Sequence, residues 1–230
     1  MRLALACPTY GCVQARAAQG LRLAIMTASN RGITWAGDYD ITGAKLSTID
    51  SVRNRMVRTA IKAAEMDPLD GILWCDSDIR PPADGIARLV SHGFDFVTGM
   101  YRHKVADGSP LVGILVEELR QGKGAISWME EWPENTVAPV DACGFGFVYT
   151  SMNMLRMMGD PWFAFGDWSE DFTFCLKAKA AGYQLYVDTG VWCSHLGEPH
   201  EWTIEEYQQR RAAGRTVDDP MPAHALALQE

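Results

Sequence analysis

The sequence predicts one α/β domain: a mostly parallel, mixed sheet flanked by helices. Three observations carry this. Short apolar runs alternate with helix-like stretches through the first hundred or so residues, the pattern of strand and crossover helix. The runs, such as Gly71-Ile72-Leu73-Trp74-Cys75, are continuously apolar, which suits strands covered on both faces. Finally, 47% of the 230 residues are hydrophobic, enough to bury a substantial core without staples.

Residues 2–6 read as the first strand, ended by Pro8-Thr9-Tyr10-Gly11. Residues 13–28, rich in Ala, Leu and Gln, read as a helix, and 33–36 as a second strand before a Gly/Asp-rich loop at 37–43. Residues 51–65 carry Val52, Met56, Ala60 and Ile61 on one side, a helix pattern. Strand 71–75 ends directly on Asp76-Ser77-Asp78; Pro81-Pro82 and a helix near 83–92 follow. Residues 94–98 form another apolar strand, and 111–119 and 125–132 belong to a less regular, partly antiparallel section. Residues 142–150 are rich in Gly and aromatics. Helices are expected at 151–159 and 169–181, the latter stopped by Gly182. Short strands at 183–188 and 191–194 come next. Thr203-Ile204-Glu205-Glu206 is a capping box opening a helix that ends near Gly214, followed by a tail that reads as mobile or docking.

Twenty-one basic and 29 acidic side chains leave a net charge of -8, which gives no general attraction to polyanions. The six cysteines show no C-x-x-C spacing and sit largely in apolar runs, so they are expected to be reduced core thiols of a cytoplasmic protein. Leu3-Ala4-Leu5-Ala6-Cys7 superficially matches a lipoprotein cleavage site, but the apolar stretch is too short for a signal segment and Pro8 follows at once. No run reaches the length of a membrane span.

Asp76 and Asp78 are two apart at a strand end, where side chains at i and i+2 point the same way and can face one hard cation. The alternative is a solvated acidic turn. His195 closes an apolar strand, and its imidazole beside carboxylates suits Mn2+; a lone histidine is otherwise a satisfied or exposed strand end. Ser169 reads as an N-cap with Glu170 and Asp171 in the first turn, where acids favour the helix dipole. Either acid could instead act as a general base. Arg53-Asn54-Arg55 and Tyr101-Arg102-His103-Lys104 could meet phosphate or a base edge, or simply be solvated. Gly144 within Cys143-Gly144-Phe145-Gly146-Phe147 could admit a sugar to the backbone, or mark a tight strand crossing. Trp168, with Trp162, Phe163 and Phe165, could stack on a sugar or fill a core.

In this order, the segments resemble the GT-A fold glycosyltransferases, in particular family-2-like enzymes, over residues 2–198; a phage-type member is one variant of that resemblance. Pro8-Thr9-Tyr10 resembles the loop around the nucleotide base, and Arg53-Asn54-Arg55 the helix that approaches the nucleotide. Leu73-Trp74-Cys75-Asp76-Ser77-Asp78 is similar to the apolar strand and D-x-D. Glu170-Asp171 resembles the acidic pair before the Phe-rich helix, and Gly182-Tyr183, Asp188 and His195 the closing segment. The resemblance implies a Rossmann-like, GT-A-like domain at 1–200, with a nucleotide-binding half at 1–100, an acceptor-side half at 101–200, and a C-terminal helix and mobile tail at 201–230. It implies Mn2+ or Mg2+ held by Asp76, Asp78 and His195. A nucleoside-diphosphate sugar, with a UDP-sugar expected, would contact Pro8, Thr9, Tyr10, Arg53, Asn54, Asp76, Ser77, Arg102, Lys104, Gly144 and Trp168. Asp171, with Glu170, would be the catalytic base of an inverting transfer, although a retaining enzyme could use the same metal site.

The short chain and the lack of Q-x-x-R-W after Asp171 favour single transfer. The acceptor could be a glycan, a lipid-linked sugar, a protein side chain, a small metabolite or a hydroxymethylated base in DNA. For DNA, Arg53, Arg55, Arg58, Arg102, Lys104, Arg210, Arg211 and Arg215 could form one groove. Two other readings compete. A haloacid-dehalogenase-type phosphatase also places D-x-D after a strand, but here Ile79-Arg80-Pro81 follows and the motif comes late. A catalytically silent nucleotide-sugar-binding module is the third.

Overall fold

β1 (Arg2–Pro8) shows how the sequence builds the core. Leu3 and Leu5 pack on one side of it, Ala4 and Ala6 on the other, and all four are buried. Two faces that are both apolar need covering on both sides. The computed structural model describes residues 1–9, 12–41, 48–104, 108–120, 123–197, 201–203, 205, 208, 209 and 212. Tyr10 and nearly all of the expected C-terminal helix and tail therefore lie outside the described residues.

Along the chain, β1 leads to α1 (Ala15–Asn30), β2 (Thr34–Ile41), α2 (Ile49–Met66), β3 (Gly71–Cys75), β4 (Ile79–Arg80), α3 (Gly85–Ser91) and β5 (Phe96–Met100). β6 (Val112–Arg120), β7 (Lys123–Trp128), β8 (Val137–Val140), β9 (Ala142–Cys143) and β10 (Phe147–Ser151) come next. α4 (Met152–Met158), α5 (Glu170–Ala180), β11 (Leu185–Trp192), β12 (Ser194–Leu196) and β13 (Glu201–Trp202) complete the described elements.

The main sheet has seven strands in the order β2-β1-β3-β10-β5-β11-β8. β2, β1, β3, β5 and β11 run the same way; β10 and β8 run against them. The expected mixed, mostly parallel sheet is what forms. β10 inserts between β3 and β5, so strands from both halves of the chain share one sheet. One core layer packs α2, α4 and α5 through Met56, Val57, Leu155 and Phe174. The other packs α1 and α3 through Leu21, Ala24, Ile86 and Leu89. In α1, Ala17, Gly20, Leu21, Ala24 and Ala28 make the buried stripe of an amphipathic helix.

Two smaller sheets, β13-β12-β4 and β7-β6-β9, flank the main one. The second is the expected antiparallel section. The first is not legible in the sequence, because β4 and β13 have two residues each. One expectation is corrected: residues 185–192 form a single strand, not two. β11 runs through Gly190, and the break appears only as a register shift between Asp188 and Trp192. Its Asp188, fully buried, accepts hydrogen bonds from Arg88 at 2.8 and 3.1 Å and from the Gly190 amide at 2.8 Å, and His92 lies at 2.8 Å. It ties α3 to β11.

Candidate active site

β3 ends at the sheet's carboxyl edge, where open α/β sheets hold ligands. The chain turns there: the Asp76 amide donates to the Gly146 carbonyl at 2.9 Å, and the Ile79 amide returns to the Asp76 carbonyl at 3.0 Å. The Ser77 carbonyl accepts from the Gln14 amide at 3.0 Å, which fixes the turn against the start of α1. β4 then pairs with β12, setting Ile79 opposite His195. That pairing brings His195 to Asp78: Nε2 stands 3.7 Å from the carboxylate, and the Leu196 amide donates to the Asp78 carbonyl at 2.8 Å.

His195 is oriented from behind. Its Nδ1 lies 2.8 Å from the Arg102 carbonyl, so Nδ1–H donates there and Nε2 faces Asp78. Tyr101 packs edge-on to the imidazole at 5.3 Å.

Arg53 lies beneath the turn, with its side chain 4% exposed. Its guanidinium donates to both Asp76 oxygens, at 3.0 and 3.3 Å, and to Glu170 at 2.5 Å. Phe145 and Phe163 cover it, their ring centres 5.4 and 5.7 Å from the guanidinium carbon. Burial alone would depress the Arg53 pKa, but Asp76 and Glu170 outweigh it and raise it. The acids shift upward: burial pushes Asp76 up, against the pull of Arg53, and Asp78 adds to the rise. Glu170 is likewise raised by burial, against Arg53, with Asp171 adding.

Asp78 differs. Burial works against its charge, yet the His195 imidazole and the Lys104 ammonium outweigh that and hold it at about 2. Lys104 forms an ion pair with the second Asp78 oxygen. Asp78 and His195 offer one oxygen and one nitrogen to a common cation. Mg2+-like ions take one or two carboxylates when phosphate supplies further ligands, so this pair fits a partial site open to substrate. Asp76 faces Arg53 instead. Among the described residues, no group of three or more His, Cys, Asp or Glu stands together as a closed metal cage.

At the start of α5, the Ser169 hydroxyl bonds Asp171 Oδ1, which also accepts from the Phe172 amide at 2.9 Å. Ser169 is the N-cap by position, but its side chain makes no cap hydrogen bond. Its hydroxyl steadies Asp171.

The other predicted contacts are placed as follows. Pro8 ends β1 beside the site, and the Thr9 hydroxyl donates to the Cys12 carbonyl at 2.6 Å. Asn54 is spent on packing: its amide donates to the Phe163 carbonyl at 2.7 Å and accepts from the Trp162 and Phe163 amides at 2.9 and 3.0 Å. Arg102 is buried, with Nη1 donating to the Thr203 carbonyl at 3.2 Å, so its carbonyl rather than its charge reaches the site. Gly144 and Gly146 make room for Tyr101. A Cβ at either would lie 2.1 or 2.6 Å from that side chain, and the Gly146 amide donates to its hydroxyl at 2.9 Å. Trp162 and Phe163 are core residues, Trp168 is half-buried just before α5, and Phe165 is exposed.

Of the residues expected in a positive groove, Arg55 is exposed on α2. Arg53 and Arg102 are buried, Arg58 pairs with Asp160, and Lys104 pairs with Asp78. Arg210, Arg211 and Arg215 lie outside the described residues.

Two neighbours that the sequence offered only within the run Tyr101-Arg102-His103-Lys104 take other roles here. Tyr101 forms the back wall, and the G-x-G spacing at 144–146, bare on one face, was its available signal. His103 sits edge-on to Trp128 at 5.4 Å, and Trp128 in turn meets Phe172 at 5.6 Å. Burial lowers the His103 pKa and His195 lowers it further, while Asp171 opposes. His103 therefore feels both the His195 imidazole and the Asp171 carboxylate. In the sequence it stood only as a member of a possible phosphate-contacting run.

No protein-family model and no curated protein matches this chain. Among solved structures it is similar to A197 from STIV, with a TM-score of 0.59 and 18% identity, covering 90% of this chain and 92% of that one. It is also similar to apo UDP-glucose pyrophosphorylase, with a TM-score of 0.48, 9% identity and coverage of 93% and 98%. A third is a glycosyltransferase involved in the glycosylation of the major capsid of PBCV-1, with a TM-score of 0.36, 12% identity and coverage of 70% and 69%. At 18% identity, the likeness to A197 is a likeness of fold.

Proposed function

We propose that this protein is a metal-dependent glycosyltransferase that moves one sugar from a nucleoside-diphosphate sugar, a UDP-sugar first among candidates, to an acceptor hydroxyl. One observation carries the reading. Asp78 and His195 meet at the carboxyl edge of the sheet, with Asp76, Glu170 and Asp171 grouped around the same turn. Carboxylates gathered at a ligand-binding edge, beside an imidazole with a fixed tautomer, suit a divalent cation on a diphosphate better than a bare anion.

Asp78 and His195 would hold Mn2+ or Mg2+. The ion would supply Lewis-acid stabilisation of the leaving diphosphate. Asp76, tied to buried Arg53, would contact the donor's ribose. Asp171 Oδ1 is engaged by Ser169 and the Phe172 amide, so among the described groups Oδ2 is the oxygen left to take a proton. In an inverting transfer, the acceptor oxygen would bond to the anomeric carbon as the bond from that carbon to the diphosphate oxygen breaks. The acceptor proton would pass to Asp171. A cytoplasmic location fits this chemistry, and no helix of the described residues is long and apolar enough to cross a membrane.

The test is a thermal-shift screen of nucleotide sugars with Mn2+, where a bound donor raises Tm. Asp78→Ala is expected to abolish the Mn2+-dependent rise and turnover together. Unchanged Mn2+-dependent activity in that variant refutes the assignment. Donor binding with neither hydrolysis nor transfer points to a silent binding module.

A further inference from the structure

The two acids of Asp76-Ser77-Asp78 are each neutralised from within the chain, but by cations of opposite character. Asp76 has Arg53, whose side chain is 4% exposed and held also by Glu170. Asp78 has Lys104, whose side chain is 36% exposed. A buried guanidinium bonded to two carboxylates is fixed, since removing it strands buried charge. An exposed ammonium on a flexible four-carbon stem can leave at little cost.

The segment carrying Lys104 is anchored just before it. The Arg102 carbonyl holds His195 Nδ1 at 2.8 Å, the His103 amide donates to the Ser109 carbonyl at 3.3 Å, and the His103 ring packs on Trp128. One short stretch therefore both orients the imidazole and brings an ammonium onto the carboxylate that the imidazole faces. We propose that Lys104 is a resident counter-cation of Asp78, held on the oxygen other than the one nearest His195, which a divalent ion must displace to bind.

This rests on the metal-dependent reading above and adds to it an order of events. A divalent cation on Asp78 and His195 repels an ammonium on the same carboxylate. Metal entry therefore frees Lys104, and the donor diphosphate supplies the negative charge that then receives it. Metal and donor bind better together than apart, because each relieves the cost the other meets. Arg53 stays on Asp76, so the ion seats on Asp78 and not between the two acids.

The experiment is calorimetric titration of Mn2+ into the full chain without nucleotide, using wild type, Lys104→Met, Lys104→Arg and Asp78→Asn. Circular dichroism checks that each is folded. Lys104→Met is expected to tighten Mn2+ binding about tenfold, equivalent to roughly 1.4 kcal/mol. Lys104→Arg should stay near wild type, and Asp78→Asn should lose the site. If Lys104→Met binds Mn2+ no more tightly than wild type while Asp78→Asn loses it, the resident-cation role is overturned and the metal site stands. If neither wild type nor Lys104→Met binds Mn2+ without nucleotide, the resident-cation role falls and the thermal-shift screen with donor present decides the metal-dependent reading; if Asp78→Asn binds Mn2+ as wild type does, both ideas fall.

Discussion

Arg53→Met keeps the length and the apolar stem of the side chain and deletes the guanidinium. In the native protein that group bridges Asp76 at 3.0 Å and Glu170 at 2.5 Å, with its side chain 4% exposed. Its removal leaves two carboxylates where burial already raises both pKa values. Breaking a buried ion pair from one side costs about 3–5 kcal/mol. Asp76 retains 29% exposure, so water can reach it, and the expectation sits at the low end, about 3 kcal/mol. For a chain of this size each kcal/mol lowers Tm by roughly 2–4 °C, giving about 6–12 °C near pH 7.

The pH dependence supplies the sharper check. A carboxylic acid whose folded pKa lies above its unfolded value binds its proton more tightly when folded. Stability therefore rises as pH falls through the raised value toward about 4. Without Arg53 the acids rise further, so the deficit should shrink between about pH 7 and about pH 5. Urea unfolding at both pH values measures it, and adding Glu170→Gln should restore part of the loss. A deficit below about 1 kcal/mol near neutrality, or one equally large at the lower pH, refutes the buried-bridge reasoning.

Three further expectations follow from other parts of the molecule. Asp171→Asn should keep donor binding but lower the transfer rate by about 10²–10⁴-fold, as loss of a base does; a fall in donor affinity alone, read by titration, contradicts the base role. Asp188→Asn should cost about 2 kcal/mol near pH 7, since the carboxylate accepts several charge-assisted bonds. Burial opposes the charge of Asp188, but Arg88 and His92 hold its pKa below the usual range. Its contribution is therefore present above about pH 4 and is lost as pH falls through the depressed folded value, so variant and wild type should converge in strong acid. Gly146→Ala sets a Cβ 2.6 Å from the Tyr101 ring and should destabilise by about 2 kcal/mol in chemical denaturation; an unchanged midpoint would show that the ring moves freely.

Much of the fold was legible because its signals are local. Continuous apolar runs marked β1, β3 and β5, and the stripe of Val52, Met56 and Ala60 marked α2. The short strands were not legible. β4 and β12 exist because Ile79 and Arg80 meet His195 and Ser194 across the molecule, and two residues carry no period of their own. The division at 188–191 was misread because Gly190 breaks the apolar pattern. In the fold it lies close to Arg88, and a Cβ there would stand 2.3 Å from Nη2. Asn54 drew notice as a polar residue beside arginines, yet its hydrogen bonds go to a loop more than a hundred residues away.

The sequence by itself determined that Asp76 and Asp78 stand at the end of a buried strand, because hydrophobicity and strand length are written residue by residue. It determined too that Glu170 and Asp171 open a helix. What the tertiary structure decided is which partner each acid meets. Arg53 takes Asp76 and Glu170, Lys104 takes Asp78, and His195 turns its Nε2 to Asp78 because the Arg102 carbonyl holds the other nitrogen. Charges attract through space and not along the chain, so those pairings exist only once β10 has entered the sheet and β12 has closed on β4.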